Sequence, residues 1–289
     1  MKILILGSSG LLGSSIVPVL STFDHDIKLH TFSNDGQYQA DLSSSKQTNL
    51  LFDNVQPDVV INLIGMTDVD LCEKLPQKSY LLNVRVLENI VDWIHRNNSK
   101  CHLIHISTDH LYDGTGPHVE DHISLMNFYA FSKYTGEVVA KNVRSTVLRT
   151  NFIGHSHNEK VSLTDWLYNS LIQGVNIRVF RDVLFSPLSV FTLSKMINKV
   201  IQSRPTGVFN LGSKQGMSKS DFAFKFAKEL NLPSNLITTI SVEQFDAFEA
   251  YRPKDMRMNC SKFENTLNVE LPSLDEEIKY VARRYSEGI

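Results

Sequence analysis

Cysteine is scarce in this chain: three residues in 289, at positions 72, 101 and 260. They are odd in number and far apart, and no C-x-x-C pair exists. That sets aside a zinc site and a disulfide framework and suits buried thiols in a reducing cytoplasm. Long apolar runs are also missing. The N-terminal run in MKILILGSSG is broken by Gly and Ser after five residues, too soon for a secretory leader or a membrane span. Charge of one sign is not in excess, the formal net charge being −2. The sequence therefore offers no electrostatic case for nucleic acid or an anionic membrane surface, and a cytoplasmic protein is expected. Repeats, low-complexity tracts and an obvious linker are absent. The ten histidines do not cluster at ligand spacing. HSH (155–157) and HVEDH (118–122) read as loops, and no metal site is expected.

What remains is an ordinary globular composition, 42% hydrophobic and 21% charged. Strand-like and helix-like stretches alternate: KILIL (2–6), a helix over 11–21 with Pro18 an awkward guest, DIKLHTF (26–32), a helix over 47–55 ended by Pro57, and DVVINLIG (58–65). A long amphipathic helix is expected over 75–96, then CHLIHIS (101–107), a helix over 126–142 and STVLRT (145–150). The alternation predicts an α/β fold, a Rossmann-type doubly wound parallel sheet with helices on both faces, with ligands at the carboxyl ends of the strands. After residue 151 the pattern loosens into a smaller C-terminal α/β lobe. It holds helices over 162–172, 190–203, 218–230 (Ser-capped) and 273–286, and strands NIRVF and GVFNLG. The expected division is 1–150, with part of 180–205 returning to it, and 151–289. Trp93 and Trp166 read as helix packing residues, and DFAFKFAKEL as one core face.

Gly7, Gly10 and Gly13 are spaced G-x-x-G-x-x-G where the first strand meets the first helix. The chain must turn sharply there, admit a pyrophosphate to its backbone and pack helix on strand. With Leu11 and Leu12, these residues open a helix whose N-terminal N–H groups favour phosphate. A dinucleotide site is the reading. The second strand ends without the acid that would select NAD. His30, Ser33 and Asn34 stand there instead, Asp35 comes late, and no Arg is present. This leans to NADP(H) over NAD(H). Asp41 and Leu42 are placed to meet the adenine; Asp41 reads equally as a cap of the following helix.

Tyr129 and Lys133 stand four apart in NFYAFSKYTGE, on one face of a helix. A tyrosine gives up a proton usefully near neutral pH when a cation favours its phenolate, and a lysine one turn away does that. Thr108, in the polar stretch TDHLYDGTG at a strand tip, would supply a hydroxyl to polarise a carbonyl.

With these residues in view, the chain resembles the extended short-chain dehydrogenase/reductases, and within them the dTDP-4-dehydrorhamnose reductases. The matching stretches are GSSGLLG, QPDVVINLIGMTDVDLCE, STDHLYDG, YAFSKYTGE, LRTNFIG, GVFNLG and YRPKDMRMNCSKF. The resemblance implies a Rossmann lobe with a substrate lobe and reduction of the C4 ketone of a nucleotide-linked 6-deoxyhexose by NADPH or NADH, toward cell-surface polysaccharide. It implies Thr108, Tyr129 and Lys133 as the catalytic group and Asn62, Leu63, Ile64 and Asn83 on the cofactor side. It implies sugar contacts from Val69 and Asp70, in a loop, and from Thr108, Asp109, Asn151, Phe152 and Arg252. Phe152 stands where the family usually has Trp. His110 and Leu111 depart from the family's aromatic and small apolar residues. His110 also replaces the Glu of dehydratase relatives, which argues against dehydration. Ser15 stands where some members carry a magnesium-bridging Glu. A UDP- or GDP-sugar reductase or epimerase remains open. So does a non-catalytic NADP-binding subunit like that of methionine adenosyltransferase, and so does monomer or homodimer.

Overall fold

The structure is a computed structural model that describes residues 1–32, 36–156 and 161–287. Two compact units emerge: residues 1–108, 127–149 and 194–209 form the first, and 109–126, 150–193 and 210–289 the second. The sequence placed 1–150 and part of 180–205 together. In the structure the first unit leaves out 109–126 and takes in 194–209.

The first unit carries β1 (Lys2–Leu6), α1 (Leu11–Leu20), β2 (Asp26–Thr31), β3 (Tyr38–Gln39), α2 (Ser45–Val55), β4 (Val59–Asn62), α3 (Val69–Lys74), α4 (Pro76–Tyr80), α5 (Val86–Arg96), β5 (His102–Thr108), α6 (Phe128–Ala140) and β6 (Ser145–Thr150). Strands β1, β4 and β5 are almost wholly buried, as their continuous apolar runs require of a sheet covered on both faces. The β1–β2, β1–β4, β4–β5 and β2–β3 ladders are parallel. In register, His30, Leu6, Asn62 and His105 lie in one row across four strands. β1 has β2 on one side and β4 on the other. The connections therefore step away from it in opposite directions, and right-handed crossovers place α1 and α5 on opposite faces. The carboxyl ends of β1 and β4 flank the point where the order reverses, which is where such sheets bind ligands.

Apolar spacing decides what covers the sheet. Leu51, Phe52 and Val55 of α2, Val86, Leu87, Ile90 and Ile94 of α5 and Ala140 of α6 join Leu4, Leu6, Val60 and Leu103 in one core. Trp93 is 1% exposed in that core and its indole N–H reaches Asp53 Oδ1 at 2.8 Å. Ser44 Oγ accepts from Gln47 N at the start of α2, and left-handed Gln56 ends it before Pro57.

The helix expected over 75–96 runs without a break from Pro76 to Arg96, with a π turn at Leu81–Arg85 between α4 and α5. One sequence expectation is corrected: Val69 and Asp70 lie on the first turn of α3, capped by Asp68, and not in a loop.

In the second unit, β7 (Phe152–Ile153), α7 (Leu163–Ile172), β8 (Ile177–Phe180), β9 (Leu184–Phe185) and β10 (Leu188–Ser189) come first. α8 (Val190–Ser203) starts here but belongs from Ser194 to the first unit, where it leads into β11 (Gly207–Leu211), the far edge of the seven-stranded sheet β11-β6-β5-β4-β1-β2-β3. β12 (Met217–Ser218), α9 (Lys219–Glu229), β13 (Ile237–Ile240), α10 (Ser261–Leu267) and α11 (Leu274–Ser286) follow. Helices α7, α9 and α11 and strands β8 and β13 share a core around Leu167, Phe222, Phe226, Ile278 and Val281. Ser162–Asp165 and Ser273–Glu276 are capping boxes. Trp166 is 36% exposed and so is not the packing residue expected; Phe224 likewise faces outward.

Candidate active site

The glycine turn is built by close approach. Gly7 has φ +78°, the left-handed region. A Cβ on Gly13 would lie 2.5 Å from Gly7 O and 2.6 Å from Ser8 O, so α1 packs directly on the turn only because Gly13 has no side chain. Gly7 N and Ser8 N both donate to His30 O, at 3.1 and 3.0 Å, which fixes the turn to the end of β2. Gly10 is the N-cap of α1 and gives it no side-chain cap. The first-turn N–H groups of Leu11, Leu12 and Gly13 have no acceptor inside the helix. This cradle fits a dinucleotide pyrophosphate.

Ser33 and Asn34, expected beside the adenosine ribose, lie outside the described residues, as does Asp35. His30 is 1% exposed, its ring contacts Ala40 O at 2.9 Å, and burial holds its pKa below the ordinary value. A neutral, enclosed imidazole does not offer a cation to a 2′-phosphate, which corrects that expectation. Asp41 Oδ1 accepts from Ser43 N and Oγ at 2.9 and 2.7 Å, while Ser44 caps α2. The cap falls to Ser44, and Asp41, three residues before it, instead closes a turn with Ser43. Leu42 is buried, its carbonyl taken by Asn89 and Thr48.

After β4, the chain 63–66 is pinned by two amides. Asn62 Oδ1 accepts from Ile64 N at 3.1 Å, and its Nδ2 meets His105 Nδ1 at 3.3 Å. Asn83, in the π turn, accepts from Met66 N at 2.8 Å and donates to Met66 O at 3.1 Å and Ser132 Oγ at 2.8 Å. Both side chains fix the backbone of the strand tip, Asn62 at Ile64 and Asn83 at Met66. The π turn supplies the extra residue that swings Asn83 inward.

Thr108, Tyr129 and Lys133 all belong to the first unit and all are buried, at 4%, 6% and 4% exposure. Thr108 is the last residue of β5. Asn127 Oδ1 accepts from Ala130 N at 2.8 Å and starts α6, so Tyr129 and Lys133 fall one turn apart on the helix face that meets β5. Lys133 Nζ donates to Ile106 O at 2.8 Å. Burial lowers its pKa to about 8, against the pull of Glu137 and Cys72 in the other direction.

The second unit gathers a separate polar set. Asn151 Nδ2 donates to Asp109 Oδ2 at 2.7 Å, which brings together two residues the sequence singled out. Arg252 is half-buried, donates to Ala250 O at 3.0 Å and stacks its guanidinium 4.1 Å from the Phe248 centroid. Phe152, half-buried, pairs with Leu188 in a short parallel ladder. Within TDHLYDGTG, two residues prove structural. Tyr112 is fully buried with its hydroxyl 2.6 Å from Asn210 Oδ1, and Asp113 is held by Tyr251 and Lys254.

Sequence reasoning missed Lys219. Burial lowers its pKa, Asp109 opposes that and Arg252 adds to it. The signal was its position directly after cap Ser218: a cation at the positive end of a helix is unfavourable without a reason. It also missed the paired Glu137 and Arg149, the former one turn beyond Lys133. Among the described residues no cluster of metal-ligating side chains occurs, and no helix is long and apolar enough to cross a membrane.

Residues 1–287 match the family model described as RmlD substrate binding domain. The chain is 24% identical over 296 residues to a probable low-salt glycan biosynthesis reductase, Agl14, of Haloferax volcanii, covering 98% of each. It is 26% identical over 277 residues to methionine adenosyltransferase 2 subunit beta of Mus musculus, covering 91% of this chain and 81% of that one. Among solved structures, the dTDP-4-dehydrorhamnose reductase of Bacillus anthracis in complex with NADP superposes with a TM-score of 0.87 at 24% identity, over 97% of this chain and 98% of that one.

Proposed function

The chain belongs to the RmlD substrate binding domain family, and from that membership we propose that it is an NAD(P)H-dependent reductase of the C4 ketone of a nucleotide-linked 6-deoxyhexose, serving cell-surface polysaccharide synthesis. The observation that carries the reading is the intact set of Thr108 at the tip of β5 with Tyr129 and Lys133 on the face of α6 that meets it. The glycine cradle at Gly7–Gly13 stands in the same unit. The bound cofactor would supply the hydride. Tyr129 gives its phenolic proton to the ketone oxygen as charge develops there, and Thr108 donates a hydrogen bond to that same oxygen. Lys133 supplies the cation that makes the phenol a competent acid and meets the cofactor's ribose. The resemblance assigns sugar contacts to Val69, Asp70, Thr108, Asp109, Asn151, Phe152 and Arg252. NADP(H) is the proposed cofactor, because no acid at the end of β2 is present to select a 2′-hydroxyl.

The test mixes the full chain with NADPH or NADH and dTDP-, UDP- or GDP-linked 4-keto-6-deoxyhexoses and follows the reduced-nicotinamide absorbance. A fall with one sugar nucleotide supports the reading and names the base. The relative in methionine adenosyltransferase favours one second reading, a non-catalytic NADP-binding subunit. Tight cofactor binding without turnover of any ketosugar would establish it in place of the first.

A further inference from the structure

Ser132 lies on α6 between Tyr129 and Lys133, directly before the lysine, and is 2% exposed. Its hydroxyl donates to Tyr129 O at 2.8 Å, the ordinary back-bond of a serine inside a helix. The same oxygen accepts two further bonds, which is not ordinary. Asn83 Nδ2 in the π turn donates to it at 2.8 Å, and Ser79 Oγ on α4 at 3.1 Å. Asn83 Nδ2 also reaches Ser79 Oγ at 3.3 Å. Ser79 is 0% and Asn83 1% exposed, so these bonds form away from water. One turn further along α6, a Cβ on Gly136 would lie 2.5 Å from Asn83 O. The side of α6 next to the Tyr129–Lys133 face therefore rests on the π turn, with Ser132 as its polar contact and Gly136 as its closest approach.

Asn83 carries this contact to the chain after β4, where it bonds both the N–H and the carbonyl of Met66. That short stretch has a neighbour on each side. A Cβ on Gly7 would meet Ile64 Cγ1 at 3.3 Å, Ile64 N at 3.4 Å and Leu63 C at 3.5 Å, so the stretch begins against the glycine turn. A Cβ on Gly65 would meet Asn83 Oδ1 at 3.0 Å and Lys133 Nζ at 3.7 Å, so it continues beside the ammonium. A continuous set of contacts runs from the dinucleotide cradle through 63–66 and Asn83 to Ser132, all within the first unit.

We propose that Ser132 is a positioning residue for the reduction: with Ser79 and Asn83 it locks the Tyr129–Lys133 face of α6 to residues 63–66, so that phenol and ammonium keep their place relative to the cradle. The proposal rests on the reductase reading for its use, but its first test does not need turnover. Amide hydrogen exchange of the full chain is followed by mass spectrometry on peptides covering 63–67 and 128–134, in wild type, Ser132→Ala and Ser145→Ala. Ser145 on β6 is the comparison, because it is 4% exposed and its hydroxyl donates to Ala140 O at 2.7 Å, a buried bond elsewhere in the same unit. Ser132→Ala should speed exchange in both peptides by roughly threefold to tenfold, the scale of one hydrogen bond. Ser145→Ala should speed neither beyond its effect on the whole chain. Where turnover is measurable, Ser132→Ala should lower kcat by roughly tenfold or more with KM for the ketosugar little changed, the mark of a misplaced reacting group. Ser145→Ala should keep the wild-type kcat. Wild-type exchange in either peptide of folded Ser132→Ala overturns the proposal, and so does a wild-type kcat. If Ser132→Ala does not fold, Ser79→Ala/Ser132→Ala, which removes both hydroxyls together, is read the same way. Failure of both to fold would assign Ser132 to the folding core and overturn it too. A wild type that reduces no ketosugar defeats the reductase reading and leaves the exchange result standing.

Discussion

The ammonium of Lys133 is bonded to the carbonyl of Ile106 at 2.8 Å, two residues before Thr108 on the same strand. Burial brings that ammonium to a pKa of about 8 in the folded protein, against roughly 10.4 in an unfolded chain. Between these values the unfolded state binds more protons than the folded one, so the lysine's contribution to stability rises as pH climbs from about 8 to about 10.5. The strain of holding the charge inside is fully present below pH 8, on the order of 3 kcal/mol. Lys133→Met should therefore raise the melting temperature at pH 7 relative to wild type, with the gap closing as pH approaches about 10.5. Scans of both proteins across this range check it. A gap that stays constant or widens with pH would mean that Lys133 is not enclosed as a cation.

Tyr129→Phe should leave the fold and the cofactor dissociation constant close to those of wild type, because the ring remains to fill its place on α6. Loss of the phenolic proton donor should lower kcat by roughly 10²- to 10⁴-fold, the scale of a positioned general acid. Steady-state turnover of the ketosugar with a parallel cofactor titration separates the two effects. Undiminished kcat would remove Tyr129 from the chemistry.

Gly13→Ala tests the cradle. The added methyl would stand 2.5 Å from one backbone oxygen and 2.6 Å from another, and neither belongs to a flexible side chain that can move aside. Helix α1 has to shift off the turn, carrying the N–H groups of Leu11 and Leu12 with it. Cofactor affinity should fall by at least about tenfold, a loss of roughly 1.4 kcal/mol, read by nicotinamide fluorescence. Wild-type affinity in this variant would place the pyrophosphate elsewhere.

The fold and the pairing of Tyr129 with Lys133 on one helix face were legible because their signals are local. A strand, three glycines and a helix follow one another at residues 2–20, and Tyr129 and Lys133 need only a helix to be brought together. Asn83 was visible through resemblance alone, and its hydrogen bonds to Met66 and Ser132 were not. The π turn that aims it inward leaves no mark on the apolar periodicity of 75–96, which reads as one continuous helix. Glu137 and Arg149 were invisible for a related reason. A charged residue on an amphipathic pattern reads as solvated, and only the meeting of α6 with β6 shows that each is the other's partner. His30 misled in the opposite sense: a polar residue at a strand end reads as exposed, yet its ring is folded under the chain at Ala40.

Asn151 offers the last test. Its amide donates to Asp109 Oδ2 at 2.7 Å, and Asp109 is only 1% exposed, so the carboxylate depends on donors supplied by the protein. Asn151→Ala withdraws one of them at a cost of about 1–3 kcal/mol in the orientation or the stability of that carboxylate. If Asp109 meets the sugar, KM for the ketosugar should rise by roughly tenfold or more with the cofactor's KM unchanged, since the glycine cradle is untouched. Asn151→Asp should be worse than Asn151→Ala, because it sets two carboxylates against each other. Equal sugar KM in all three proteins, with folding intact, would show that the Asp109–Asn151 pair supports the second unit and takes no part in holding the substrate.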